Sequence, residues 1–430
     1  MRVFKSFLLA LLFIIPGIAL WAQTNPGVIV QKNIRAVRFH VYGDQQALPV
    51  YKLNSNDRLE LHFDDMDANV KSYYYTYQLC DYNWNPVRLS QFDYMKGFTQ
   101  LRITNYRFSS IAFTRYNHYQ AILPEANSTP TKSGNYLLKV FLDGDTSKLA
   151  FTRAMLVLDS KSSVMAQFVQ PFVPQYYKTH QRLRFTVNLE GLNAFNVNQQ
   201  VKVRVLQNYR WDNAQGNNIT PTFIRSNALE YNNENNFVFA GGKEWRWLDL
   251  RSFRLQSERV EKADYSNKAT TIYVKPDIDR SGQKYMYYHD LNGLYQVTTY
   301  ESINPYWQGD FATVKFSYLT PNQLAYEGKD LYLFGQLTDY HLNESSKMTF
   351  NADKGMYEGS LFLKQGYYSY GYLLVDKADP LQRMALEGDY WETENNYTIL
   401  VYYKSFTDQY DQLIGIGKLS TRTDTPGFTF

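Results

Sequence analysis

Between residues 54 and 84 the chain alternates apolar and polar side chains with a period of two, and few structures other than a β-strand satisfy that period. Leu59, Leu61 and Phe63 fall on one face, and Arg58, Glu60 and His62 on the other. Asn54-Ser55-Asn56-Asp57 opens the stretch as a turn, and a second polar segment, 64–69, reverses the chain. A second strand then runs from Val70 through Tyr73, Tyr75 and Tyr77 to Leu79. The spacing predicts one hairpin of an antiparallel sheet.

The same style continues to the end of the chain. Residues 135–142 place Tyr136, Leu138, Val140 and Leu142 on one face. Asp143-Gly144-Asp145 is a hairpin turn, and 151–158 is the return strand. Residues 159–163 (DSKSS) read as a linker. Beyond it, Leu183, Phe185 and Val187, then Val201, Val203 and Val205, repeat the alternation, with 272–275 and 295–300 as closing strands. A third set follows: 311–319, 331–334, a hairpin of 356–363 with 368–375 around Lys364-Gln365-Gly366, and a late strand at 397–403. No capped amphipathic helix of ten residues is present in the pattern. A chain of 430 residues suggests two to four domains at about 150 residues each. The fold class predicted is all-β: tandem antiparallel β-sandwich domains of immunoglobulin type. They are placed at 28–160, 164–302 and 303–421, with a tail at 422–430. The 38 Tyr suit such sheets, because the ring buries while the hydroxyl finds a partner.

Residues 1–22 read as a signal peptide. Arg2 and Lys5 precede an apolar run, 7–20, and the expected cut falls between Ala22 and Gln23. The run is shorter than the ~20 residues that span a bilayer, and no other stretch is long enough to cross as a helix. The mature chain is therefore expected to be exported, without a direct membrane span. Cys80 is the single cysteine, so stability must come from core size. A formal charge of +4 is too small to argue for nucleic acid.

The search for chemistry returns little. There is no Gly-x-Ser-x-Gly elbow, no His-Glu-x-x-His and no phosphate-cradling glycine loop. No catalytic residue and no cofactor is predicted. The six His are scattered, none three or four residues from another, so no local metal pair exists and only spatial clustering could make one. Asp64, Asp65 and Asp67 form the densest acidic cluster. They would suit a Ca²⁺ loop, although Asp ordinarily ends strands and caps turns. His289-Asp290 could form an acid–base pair or a polar turn. Trp245 and Trp247, two apart, share a face if that segment is a strand. They would serve as a sugar platform, a partner-binding hot spot or core.

Two resemblances add to this reading. Residues 331–340 (LYLFGQLTDY), then Met348, Gly355-Met356-Tyr357-Glu358-Gly359 and Gly366-Tyr367-Tyr368-Ser369-Tyr370, resemble the early-set sandwich of starch- and glycogen-binding modules. Tyr340 stands where that resemblance implies a sugar-stacking Trp, a departure that weakens sugar binding. The whole mature chain resembles the plug protein family of the type IX secretion system of Bacteroidetes. The matching stretches include Ser55-Asn56-Asp57-Arg58-Leu59 with Phe63-Asp64-Asp65, Tyr73-Tyr74-Tyr75-Thr76, and Phe92-Asp93-Tyr94 with Gly97-Phe98. Further on come Ser133-Gly134-Asn135-Tyr136, Asp143-Gly144-Asp145, Gly241-Gly242-Lys243-Glu244, Asp290-Leu291-Asn292-Gly293 and 410–415 (YDQLIG). They lie in order across residues 30–415.

The second resemblance implies a non-catalytic periplasmic protein. Its partner would be the giant outer-membrane translocon β-barrel, whose pore it seals when the lateral partner barrel is absent. It would be a monomer within that hetero-complex. Such work needs an interface above ~1,000 Å² and no active site. Trp245, Trp247 and Tyr340 are the candidate partner-binding residues. The alternative is a periplasmic or surface carbohydrate-binding protein, resting on the third unit and the two Trp. An outer-membrane barrel is disfavoured, because the last residues lack a barrel strand's alternation.

Overall fold

A computed structural model describes residues 26–192, 194–266 and 269–424. The expected signal peptide, its cut at Ala22/Gln23 and most of the 422–430 tail lie outside the described residues. The chain is all-β. Its α-helical pieces are single turns, Gln91–Tyr94, Val197–Gln200 and Pro305–Gln308.

The first sandwich packs two sheets. One runs Ile34–Val41, Leu59–Asp65, Asn117–Leu123, Asn105–Phe108. The other runs Val50–Lys52, Leu149–Leu158, Gly134–Leu142, Tyr73–Cys80, Gln100–Arg102. The alternation does what period two requires: Leu59, Leu61, Phe63, Tyr73, Tyr75, Tyr77, Tyr136, Leu138 and Val140 all point into one core. The expected hairpin at residues 54–84 is not one. Leu59–Asp65 and Tyr73–Cys80 lie in opposite sheets, so the polar segment between them is an arch over the end of the core. Phe63 meets Tyr73 edge-on across that gap at 5.0 Å and stacks on Tyr119 at 5.1 Å. The hairpin at Asp143-Gly144 is a true one. Gly134–Leu142 pairs antiparallel with Leu149–Leu158, and both turn residues take positive φ (+57° and +72°).

The second sandwich draws on both ends of the remaining chain. Ser162–Val169, His180–Leu189, Ala228–Tyr231 and Phe223–Arg225 make one sheet, and Val238–Ala240 adds to His180–Leu189. The facing sheet is Val201–Gln207, Asn396–Tyr403, Gln412–Ser420. Ile399, Val401 and Ile414 thus share a core with Leu183, Val187 and Val203. This departs from the sequential division at 302/303, because strands near the C-terminus close the second unit rather than the third. The expected linker at 159–163 is also held: the Asp159 and Lys161 amides donate to the Leu413 and Ile414 carbonyls, and a strand begins at Ser162.

The third unit is the segment inserted between those halves. Its strands run Arg246–Asp249, Gly366–Asp376, Lys329–Phe334, Lys347–Asn351, Met356–Lys364, Phe311–Leu319, Thr270–Val274, Val260–Asp264. Thr270–Val274 and Tyr295–Val297, expected to close the second unit, pair here instead. Met356–Lys364 and Gly366–Asp376 form a second arch rather than the predicted hairpin, since neither strand bonds to the other. The pairing is antiparallel except for Val50–Lys52 against Leu149–Leu158, and Thr270–Val274 and Asp277–Ile278 against Phe311–Leu319. Several buried tyrosines here bond their hydroxyls. Tyr370 and Tyr372 both donate to Asp277 Oδ2 at 2.7 Å, and Asp277 also pairs with Arg246.

Candidate functional site

The outer face of the first sheet should be wet in an isolated sandwich, and here it is covered. In register, Arg38 stands opposite His62, His40 opposite Glu60, and Asp64 opposite His118. All six side chains project away from the apolar core. The third unit lies over them. Tyr306, one residue inside the turn that Asn304 caps, stacks on His62 with ring centroids 3.7 Å apart. Lys364 closes the arch at 364–366 and reaches Asp64 Oδ2 at 2.5 Å. Arg38 bonds Gln336 Oε1 and lies over the Tyr295 ring at 4.3 Å.

Backbone groups stitch the same seam. The Gln45 side chain bonds both the amide and the carbonyl of Val297, at 2.9 and 3.0 Å. Asp310 accepts from the Phe113 and Thr114 amides at 3.0 Å each. Tyr116 donates to the Gly309 carbonyl at 2.5 Å. A second junction joins the first and second units. Tyr82, Leu156, Leu206, Trp211, Leu400 and Leu413 form one apolar cluster there, with Arg204 over the Tyr82 ring at 4.2 Å. The Tyr82 hydroxyl donates to the Val203 carbonyl and the Tyr402 hydroxyl to Asn135 Oδ1. Charged pairs at such depth are strong only when hydrogen-bonded, and Lys364 and Asp64 each have a further partner, the Tyr306 carbonyl and His118.

The sequence-predicted residues fall in three places. Asp64 and Asp65 point to opposite faces of their strand. Asp65 is taken by Asn33, Tyr73 and Lys71, and Asp67 by Lys71, so the loop does not converge on one cation site. Trp245 and Trp247 do share a face and are half-buried. Trp247 stacks on Tyr367, while Trp245 packs along Phe334 and over Gly293. Trp245 also lines a cavity of about 340 Å³ between the second and third units, rimmed by Arg210, Asp212, Lys243 and Asp389. Tyr340 is 9% exposed, meets Phe334 edge-on and donates to the Gly293 carbonyl, so its ring is not offered to a ligand.

Of the remaining candidates, Asp290 caps its own turn through the Asn292 and Trp245 amides, and burial pushes its carboxyl up to about 7. His289 does not join it as a dyad in any hydrogen bond described. Burial, with Asp81 beside it, pushes the Cys80 thiol up to about 12, which leaves it a poor nucleophile.

Two features escaped the sequence reading. One is the row His40, Glu60, His62. Among the described residues it is the group of three potential ligands whose ligand atoms lie within 4.8 Å of one another. The signal was Glu60-x-His62, since on a strand i and i+2 share a face. The other is an apolar edge. Asn105–Phe108 pairs on one side only, and it carries Tyr106 and Phe108 into a loop with Ile111 (73% exposed) and Phe113 (65% exposed). Exposed apolar side chains clustered at a strand edge and its following loop are what a partner surface needs.

Residues 34–159 match the family described as type 9 secretion system plug protein, first domain. A crystal structure of a hypothetical protein from Parabacteroides merdae superposes with a TM-score of 0.87 at 26% identity, covering 92% of this chain and 98% of that one. A partial N-terminal region of an enterococcal surface protein aligns at 9% identity and a TM-score of 0.19, which carries no argument. No curated protein matches.

Proposed function

Taking as premise that residues 34–159 form the first domain of the type 9 secretion system plug family, we propose that the chain is a non-catalytic periplasmic plug. It binds the periplasmic end of the giant outer-membrane translocon barrel and seals its pore when the lateral partner barrel is absent. The family match carries the reading, and the fold supports it. A stopper must resist being pushed apart, and here three sandwiches are locked by buried ion pairs and by a strand pair that brings the end of the chain back into the second unit. The apolar edge at Tyr106, Phe108, Ile111 and Phe113 is the surface assigned to the barrel rim, where aromatic anchors give affinity.

The test is capture from the native host. The chain is tagged at its C-terminus, membranes are solubilised in mild detergent, and co-purifying proteins are identified with and without the lateral partner barrel. One very large outer-membrane protein, enriched when the partner is missing, is the expected result. Phe108→Ser with Ile111→Ser should lower that yield and leave the melting temperature unchanged. Recovery of the tagged chain alone from the soluble periplasmic fraction would remove the plug reading. The cavity against Trp245 favours glycan binding as the second reading, and Trp emission that moves on adding α-glucan would support it.

A further inference from the structure

A hydrogen-bond chain has to run from donors to acceptors, and the histidine row on the first sheet ends on acceptors that nothing satisfies. Asp64 Oδ1 accepts from His118 Nδ1 at 2.7 Å, while Oδ2 accepts from Lys364. With its proton on Nδ1, His118 presents a lone pair at Nε2, which lies 3.0 Å from His62 Nδ1. His62 Nδ1 is therefore the donor, and its Nε2 keeps a lone pair. That atom faces Glu60 Oε1 at 3.0 Å, another acceptor. A proton on His62 Nε2 requires either both nitrogens of His118 to be protonated or His62 itself to be an imidazolium. Either would bury a further cation in a row that already holds Lys364.

His40 completes the set. Its Nδ1 lies 2.9 Å from the Val41 carbonyl and so donates there, which leaves Nε2 with a lone pair, buried and without a partner. His40 and His62 are each 1% exposed. Three electron-pair donors thus converge at a buried place with no hydrogen to share. An unsatisfied buried acceptor is destabilising, and a cation would satisfy all three together.

We propose that His40, Glu60 and His62 form a binding site for a divalent first-row transition ion, Zn²⁺ foremost. Two neutral imidazoles and one carboxylate are a borderline ligand set that suits Zn²⁺ better than Ca²⁺ or Mg²⁺. The supporting shell is already in place. The far nitrogen of His40 is tied to a carbonyl, and that of His62 to the His118–Asp64 relay, which fixes both tautomers. Glu60 Oε2 is held by the Gly43 amide at 3.3 Å. The ligands stand on two paired strands, His40 directly opposite Glu60 and His62 two residues along on the same face, so little ordering is left to the ion. The Tyr306 ring lies against His62, so a filled site would stiffen the seam between the first and third units.

The experiment uses the purified protein without a polyhistidine tag, stripped with chelator and dialysed. Zn²⁺ alone is titrated by calorimetry, with Co²⁺ absorption as a second readout of the ligand field. One ion per chain is expected. His40→Gln and Glu60→Gln should each weaken it at least about tenfold, whereas His289→Ala, outside the row, should leave it unchanged. Glu60→Gln keeps the shape of a partly exposed side chain, so it reports even if His40→Gln does not fold. A Zn²⁺-dependent rise in melting temperature, absent in Glu60→Gln, reads the same event. No saturable binding, or one equivalent that survives Glu60→Gln, would overturn the site.

Discussion

Lys364 Nζ lies 2.5 Å from Asp64 Oδ2, an ion pair spanning 300 residues of sequence with both side chains 1% exposed. It joins the arch of the third unit to the outer face of the first. Neither charge reaches water, so each depends on the other. Removing one leaves its partner buried and unpaired, which typically costs ~3–5 kcal/mol. Lys364→Met and Asp64→Asn should therefore each lower the urea midpoint sharply. The double variant should recover part of that loss. Single variants within about 1 kcal/mol of the parent would mean that the seam does not rest on this pair.

The histidine row gives a pH dependence with a definite sign. Burial pushes the imidazoles of His40 and His62 from their ordinary 6.5 down to about 4. Between those values the unfolded chain binds protons that the native state refuses. Their contribution is fully present above about pH 6.5 and is lost as the pH falls towards 4, on the order of 3 kcal/mol for each ring. Urea midpoints measured in chelator should fall steadily from pH 7 to pH 4.5, and His40→Gln should make the slope shallower. A flat profile would contradict the assignment of neutral buried rings.

Gly293 takes φ +81°, and a Cβ built on it would come within 2.7 Å of the Trp245 ring. Gly293→Ala must strain the turn and displace a rigid indole. We expect about 1–3 kcal/mol of destabilisation and a red-shifted Trp emission. Unchanged emission would mean that Trp245 is not held as described.

The second sandwich makes a prediction about the end of the chain. Asn396–Tyr403 lies between Val201–Gln207 and Gln412–Ser420. A chain ending at Asn395 loses the central strand and one edge strand of that sheet and uncovers Val203 and Val205. It should aggregate or bind a hydrophobic dye. A soluble 1–395 chain with native near-ultraviolet circular dichroism would refute the shared core.

Period two was sufficient to identify strands and the faces they bury. Leu59, Leu61 and Phe63, or Tyr136, Leu138 and Val140, need only know that one side is apolar, and that is local information. The true hairpin at Asp143-Gly144 was legible for the same reason, because its turn residues dictate the backbone. The sequence did not say which strands pair. A polar segment of a few residues serves equally as a hairpin or as an arch, so 64–69 and 364–366 read as hairpins. Only packing of two sheets around one core made them arches. Strands 200 residues apart, such as Val201–Gln207 and Asn396–Tyr403, leave no mark of each other in composition or spacing. The outer faces were decided last. Glu60, His62 and Asp64 read as solvent positions because polar residues opposite an apolar face usually are. They are buried because a third unit supplies Tyr306 and Lys364 over them, and that contact exists only once the whole chain has folded.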